Sequence, residues 1–321
     1  MNRRHQLWGI GLAAVARPSY ITAGRGSDLG ARRSVADLRA RTWEVLDAAY
    51  GAGARYVDVA RSYGRAEEFL AAWLDAHPQV EDVQVGSKWG YRYVGEWRMD
   101  AEVHEVKDHS LAGFTAQLAE TEALLGARLQ RYHIHSATTE TGVLDDQAVL
   151  RALAGLRARG VRVGLSTSGV AQAETVRKAM GISVDGRALF TSVQSTWNVL
   201  EPSAGPALRE AAEAGAEVIV KEPVANGRLA PGGADPADRA AVRVAELAAE
   251  IGAPVDQLAI AVAMAQPWAW CVLSGAVTPE QVLSNAAATA VEVPPAVLSE
   301  LGRLAEDPAD YWSARSARPW A

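Results

Sequence analysis

A (β/α)8 barrel is the fold this sequence predicts, and three observations predict it. Eight strand candidates, all but the first mostly apolar, alternate with amphipathic helical patterns along the 321-residue chain. Strands that read as near-continuous apolar runs are buried on both faces, as in a parallel sheet covered by helices. Eight such units over about 250 residues or more suit a closed TIM barrel better than an open sheet. No Gly-x-Gly-x-x-Gly follows an early strand, and no low-complexity linker divides the chain. We expect one domain over 1–321, with 306–321 as a C-terminal extension.

The elements follow in order. MNRRHQ followed by LWGIGLAAVA imitates a signal peptide, but Gly9 and Gly11 weaken a helical apolar segment, and the run fits a first strand. A Gly- and Arg-rich loop, RPSYITAGRGSDLGARR, comes next. Ser34 with Asp37 three residues on is a capping-box pattern. It opens a helix with Leu38, Val45, Leu46 and Ala49 on its apolar face, which Gly51 and Gly53 end. Strand YVDVA precedes the helix RAEEFLAAWLDAH, and strand 83–90, VQVGSKWG, precedes a long loop and the helix in SLAGFTAQLAETEALLGA. Strands 131–137, 161–169, 189–198 and 216–224 each lead into a helix, the last through ANGRLAPGGADPADR into a helical pair over about 238–266. Strand 270–277 leads into PEQVLSNAAA. The tail carries Tyr311, Trp312 and Trp320. It is either a packed extension or a flap over the barrel mouth, since amphipathic aromatics serve both ends.

Composition excludes several classes. Hydrophobic residues make up 49% and charged residues 22%, the balance of an ordinary globular protein with a sizeable core. A net charge of -6 gives no electrostatic reason to expect nucleic acid or an anionic membrane as partner. No apolar run reaches the length of a membrane span, and the single cysteine, Cys271, fits a reducing compartment. The expectation is a cytoplasmic protein acting on a small molecule, of undetermined oligomeric state. Only four lysines occur (88, 107, 178 and 221), so a lysine on an apolar strand stands out.

In a barrel, functional groups gather where strands give way to the following loops. The stretch 56–64, YVDVARSYG, brings Asp58 and Tyr63 to such a place, with Gly64 closing the turn. Strand 83–90 brings Lys88 out of an apolar run, and strand 131–137 brings His133 and His135, which alternation puts on one face. His135 lies nearer the C-terminal end. Each residue alone has a plain structural explanation, such as a bonded core histidine or a snorkelling lysine. Together they converge on one point. A phenol with its ordinary pKa of about 10 is a poor acid near neutrality. An ammonium beside it would lower that value, with Asp58 keeping Lys88 charged. No nucleophile elbow appears, and HEVKDH, 104–109, holds its histidines five apart, off the spacing that would align metal ligands on a helix. A proton donor without a nucleophile or a metal points to carbonyl reduction or isomerisation, with hydride from a cofactor.

These residues resemble those of the aldo-keto reductase superfamily over nearly the whole chain. Asp58, Tyr63 and Gly64 meet its D-x-x-x-x-Y-G pattern, with Lys88 on strand three and His135 on strand four. The resemblance implies Tyr63 as general acid, tuned by Lys88 and Asp58, and His135 positioning the carbonyl. It also implies an NADP or NAD cofactor. Ser166 and Gln194 would meet the nicotinamide carboxamide. Pro223, Gly227 and Leu229 would lie along the pyrophosphate, with Gly275, Gln281 and Asn285 near the adenosine end. Trp89, Tyr91, Tyr93 and Trp197 are expected to line an aromatic substrate pocket, with no metal.

Three positions depart from the family pattern. Thr167 stands where the family has Asn, and Lys221, followed by Glu222, stands where an aromatic stacks under the nicotinamide. An ammonium there would oppose the oxidised, cationic ring. Pairing with Glu222, contact with substrate and a structural role are all open to Lys221. Residues 274–285 carry no Lys or Arg for a 2′-phosphate, with Val277 and Gln281 in those places, which leaves NAD open. The activity expected is NAD(P)H-dependent carbonyl reduction. The alternatives are a redox-neutral isomerase or lyase on the same barrel, or a nucleotide-binding sensor without turnover.

Overall fold

The computed structural model describes residues 7–22 and 28–320; the MNRRHQ start and the centre of the predicted Gly- and Arg-rich loop lie outside the described residues. Eight parallel strands close into a barrel: β1 (Leu7–Gly11), β2 (Tyr56–Asp58), β3 (Gln84–Trp89), β4 (Leu129–Ala137), β5 (Arg162–Thr167), β6 (Ser192–Thr196), β7 (Glu217–Lys221) and β8 (Cys271–Ser274). Each strand pairs with its sequence neighbours, and β8 closes on β1. The helices between them are α1 (Val35–Gly51), α2 (Ala66–Ala76), α3 (Leu111–Leu125), α4 (Gln147–Ala158), α5 (Gln172–Met180), α6 (Gly205–Glu213) and the pair α7 (Arg239–Glu250) and α8 (Val255–Met264). After β8 come α9 (Pro279–Ala287), α10 (Pro295–Leu301) and α11 (Pro308–Ser316). No single helix among the described residues is long and apolar enough to cross a membrane.

The expected start of α1 holds: Ser34 Oγ accepts from the backbone N–H of Asp37 at 3.1 Å and donates to its carboxylate at 2.7 Å. Leu38, Val45, Leu46 and Ala49 are buried as its pattern requires. The long loop after β3 is more ordered than its composition suggests. Tyr91–Tyr93 pairs antiparallel with Glu105–Lys107, so the HEVKDH segment is half of a ribbon.

Strand register decides which side chains enter the barrel. Gly11 lies beside Asp58, Lys88 beside His133, His133 beside Gly164, Ser166 beside Gln194, and Thr196 beside Lys221. Neighbours at one level share a face. Asp58, Lys88, His133, Ser166, Gln194 and Lys221 therefore face inward, and the residues between them face the helices. His133 fills one layer: its Nε2 lies 3.0 Å from Ser192 Oγ, and a Cβ on Gly164 would come within 2.6 Å of its ring. The imidazole occupies space that only glycine leaves free.

Candidate active site

Three strand ends and one turn build the site. Inward alternation lifts Asp58 and Lys88 to the C-terminal rim, where the Lys88 ammonium donates to Asp58 Oδ2 at 2.5 Å and to the carbonyl of Val59 at 3.0 Å. The turn after β2 brings the Tyr63 hydroxyl within 3.4 Å of Lys88 Nζ and 3.5 Å of His135 Nε2. That turn needs its glycine. Gly64 sits at φ +59, and a Cβ there would lie 2.7 Å from the carbonyl of Ala16 and 2.8 Å from Arg17. The predicted quartet of Asp58, Tyr63, Lys88 and His135 is gathered in one buried cluster, each side chain at most 9% exposed.

Burial sets the electrostatics. It pushes the Tyr63 phenol well above its ordinary value of 10.0, and the negative charge of Asp58 adds to the rise. This corrects the expectation that Lys88 lowers it: Asp58 neutralises the ammonium, and loss of water disfavours the phenolate. Burial also lowers the Lys88 ammonium, against the pull of Asp58. His135 is held well below 6.5 by burial and then by the positive charges of Lys88, Arg17 and Lys221, so it is neutral near pH 7. Its Nδ1 lies 3.4 Å from Ser62 Oγ. With Ser62 as donor to Nδ1, the Nε2–H points at the space beside the phenol.

Around this centre lie further groups: Arg17, which sequence reasoning missed, and Gln194 and Tyr91, which it expected. Arg17 bonds the carbonyl of Ser62 and Glu105, and its guanidinium lies 5.1 Å from the centre of the Tyr63 ring. Gln194 donates its amide to Asp58 Oδ1 at 2.8 Å, so the carboxylate is held from two sides. Tyr91 stands edge-on to His135 at 5.1 Å between centroids, its phenol raised to about 12 mainly by burial.

The other predicted positions divide. Ser166 faces the mouth and accepts from the backbone N–H of Ser136 at 2.8 Å. Thr167 faces outward, its hydroxyl 2.5 Å from Ser195 Oγ. Trp89 and Trp197 are corrections to the expected substrate wall. Each is one residue out of phase with the inward set, Trp89 packing on Phe114 at 5.0 Å and Trp197 on Trp268 at 5.7 Å. Tyr93 accepts from the backbone N–H of Trp97 at 3.2 Å, in the ribbon rather than at the cluster.

The remaining strand ends have features that fit a dinucleotide. Pro223 and Gly227 belong to a turn after β7 in which Asn226 keeps a buried Oδ1 without a partner among the described residues, and Leu229 is fully buried beneath it. Gly275 opens onto space, with nothing within 4 Å of a Cβ built there. Gln281 accepts from the N–H of Val277 and donates to Asp28, while Asn285 is engaged internally with Ser274 and Asp256. Neutral amides and an open glycine suit a carboxamide and a sugar-phosphate chain.

Lys221 also faces the mouth. Its ammonium donates to Thr196 Oγ1 at 2.5 Å and stands 3.6 Å from Glu222. Glu222, at φ +56, is gripped by both sides of the Arg315 guanidinium. Burial alone would raise its carboxyl, but Arg315 and Lys221 bring it down to about 2. Burial lowers Lys221 to about 8 despite Glu222. The tail is a packed extension. Helix α11 packs through Tyr311 and Trp312, and Trp320 reaches the ribbon to stack on His104 at 4.5 Å.

Comparison with known proteins gives one answer. A family model described as the aldo/keto reductase family matches residues 30–306. A D-threo-aldose 1-dehydrogenase from a Pseudomonas species is 26% identical over 288 residues, covering 81% of this chain and 86% of that protein. Among solved structures, the holo form of an aldo-keto reductase from Bacillus halodurans superposes with a TM-score of 0.69 at 18% identity, over 93% of this chain and 92% of that one. A glycerol dehydrogenase from Gluconobacter oxydans gives 0.67 at 20% identity, over 92% and 90%.

Proposed function

This chain belongs to the aldo/keto reductase family, and from that premise we propose that it is a nicotinamide-dependent oxidoreductase interconverting a carbonyl compound and its alcohol, with Tyr63 as the proton carrier. The observation that carries the reading is the buried cluster itself: a phenol between an ammonium at 3.4 Å and an imidazole at 3.5 Å, with Asp58 behind the ammonium. When bound, the nicotinamide supplies or accepts the hydride.

The residues have distinct tasks. His135, neutral near pH 7, donates a hydrogen bond from Nε2 to the carbonyl oxygen and fixes its position. Tyr63 keeps its proton in the resting site because its phenol is raised. As negative charge grows on the carbonyl oxygen, that oxygen becomes the stronger base and takes the proton. Lys88 then stabilises the phenolate at 3.4 Å, while Asp58, bonded by both Lys88 and Gln194, holds the ammonium in place. Ser166 and Gln194 would meet the carboxamide, Pro223 and Gly227 the pyrophosphate, and Gly275 and Gln281 the adenosine end, with the buried Leu229 and Asn285 holding those loops from within. Tyr91, beside His135, is the aromatic retained as a substrate wall.

The name of the Pseudomonas relative supports a polyhydroxylated, sugar-like substrate. The bond from Gln281 to the Asp28 carboxylate favours NAD over NADP, since a 2′-phosphate there would meet a negative charge. The test is nucleotide titration of wild type and Tyr63→Phe by tryptophan fluorescence, followed by turnover on a panel of aldoses and small carbonyls. Equal binding with turnover lost in the variant supports the reading. Unchanged turnover overturns the mechanism, and no binding of NADH or NADPH by wild type overturns the function.

A further inference from the structure

A lysine at the rim of β7 is an unusual lining for a site that must hold a cationic ring in one of its two redox states. Three observations bear on it. Lys221 faces the interior, level with Thr196, and hydrogen-bonds its hydroxyl. Its charge reaches the reacting centre, because it lowers the His135 imidazole and is itself lowered by Lys88. Third, its charge is not cancelled. Glu222 stands 3.6 Å away but is shared with Arg315, which bonds both of its oxygens, so one carboxylate serves two cations. Its ammonium also lies 5.8 Å from the centre of the Trp312 ring.

We infer that Lys221 makes this site discriminate between the redox forms of the nicotinamide, binding the neutral reduced ring more tightly than the oxidised cation. The inference rests on the function proposed above and adds its direction. Any ring that exchanges a hydride with a carbon whose oxygen touches Tyr63 and His135 lies in the same mouth as Lys221. A uniform grip on the nucleotide would not separate the two forms; an uncompensated positive charge does. Each tenfold preference for the reduced form raises the potential of the bound couple by about 30 mV. Hydride transfer from an alcohol carbon to the oxidised ring, with loss of the hydroxyl proton to solvent, is then favoured within the complex over the reverse.

The charge is also tunable. Lys221 titrates at about 8 because burial disfavours its ammonium, with Arg315 and Lys88 adding to the fall and Glu222 resisting it. Below that pH the ammonium opposes the oxidised ring, and above it the opposition fades. The facing groups are Glu222 and Arg315, both charged across this range, with Lys88 and His135 deeper in the mouth.

The experiment measures dissociation constants of NAD and NADH, and of NADP and NADPH, for wild type, Lys221→Met and Lys221→Arg at pH about 7 and about 10. The expected ratio of oxidised to reduced constants is larger in wild type than in the methionine variant by about tenfold at the lower pH. It contracts at the higher pH in wild type, stays high in the arginine variant, and does not change with pH in the methionine variant. A methionine variant with the wild-type ratio at both pH values overturns the inference while leaving the proposed function standing. Failure of wild type to bind any of the four nucleotides overturns both.

Discussion

The two ends of the barrel interior each bury an ion pair, and only one of them is a candidate site. At the N-terminal end, Arg131 bonds Glu217 at 2.8 Å, is 1% exposed, and lies 4.2 Å from the Trp270 ring centre and 5.4 Å from that of Tyr56. At the C-terminal end, Lys88 bonds Asp58 at 2.5 Å, the cation as buried as Arg131 and the carboxylate more buried than Glu217. The ion pair is common to both, so it does not mark function. The neighbours differ. Arg131 lies against the faces of Trp270 and Tyr56, with no imidazole among its aromatic neighbours, whereas the Lys88 ammonium touches a phenol that touches an imidazole. A guanidinium also keeps its proton, while an ammonium beside a phenol answers to that phenol's charge.

Substitutions at the two ends should separate those properties. Tyr63→Phe should cut kcat by about a thousandfold while nucleotide affinity and melting temperature stay near wild type. Arg131→Met should do the reverse, lowering unfolding free energy by about 2 kcal/mol in denaturant titration, because Glu217 loses its buried partner and keeps only the more exposed Arg162 at 3.4 Å. Per folded molecule, its kcat and KM should remain those of wild type. A fall in kcat of the Arg131 variant comparable to that of Tyr63→Phe would break the comparison by making the lower pair part of the site.

Much of the upper end was legible because central strands of a parallel barrel are apolar on both faces. Asp58, Lys88 and His135 violate that pattern, and a violated pattern is visible in one dimension. Trp89 and Trp197 were misread for a reason also present in the sequence. Counting one residue on from Lys88, or three from Gln194, turns a side chain to the helix layer, and strand parity decides that placement whatever the aromatic character. Arg17 and Ser62 lie in turns with no period to break, Glu105 opens a three-residue ribbon strand, and Arg17 and Glu105 meet only because the chain returns 88 residues later. The grip of Arg315 on Glu222 spans 93 positions and had no local signature. The direction of the Tyr63 shift was missed because charge can be read from residue types, but desolvation needs the packed structure.

A neutral group sharpens the comparison further. Ser62→Ala removes the hydroxyl 3.4 Å from His135 Nδ1 and leaves both ion pairs intact. It should lower kcat by about fivefold, through a looser imidazole rather than a lost charge. The pH profile is the second measurement. Because burial and the charges of Lys88, Arg17 and Lys221 hold His135 well below 6.5, kcat/KM in wild type and variant should stay flat as pH falls through the usual imidazole range. An acid limb centred at that ordinary value in wild type would mean a solvated imidazole and a more open mouth.

The smallest effect belongs to a charge that is not buried. Asp28 is exposed and accepts from Gln281 at 2.8 Å near the proposed adenosine end. Burial gives the Lys88 and Arg131 pairs their strength, so an exposed carboxylate should have little and should lose it to salt. The expected outcome is an NADH affinity above that of NADPH by about twofold to threefold at low ionic strength. The gap should narrow as salt is added, and Asp28→Asn should narrow it at low salt. A preference of the same sign and size that ignores both salt and Asp28→Asn would place the discrimination in shape rather than charge. A preference for NADPH would mean that a cation outside residues 274–285 reaches the phosphate.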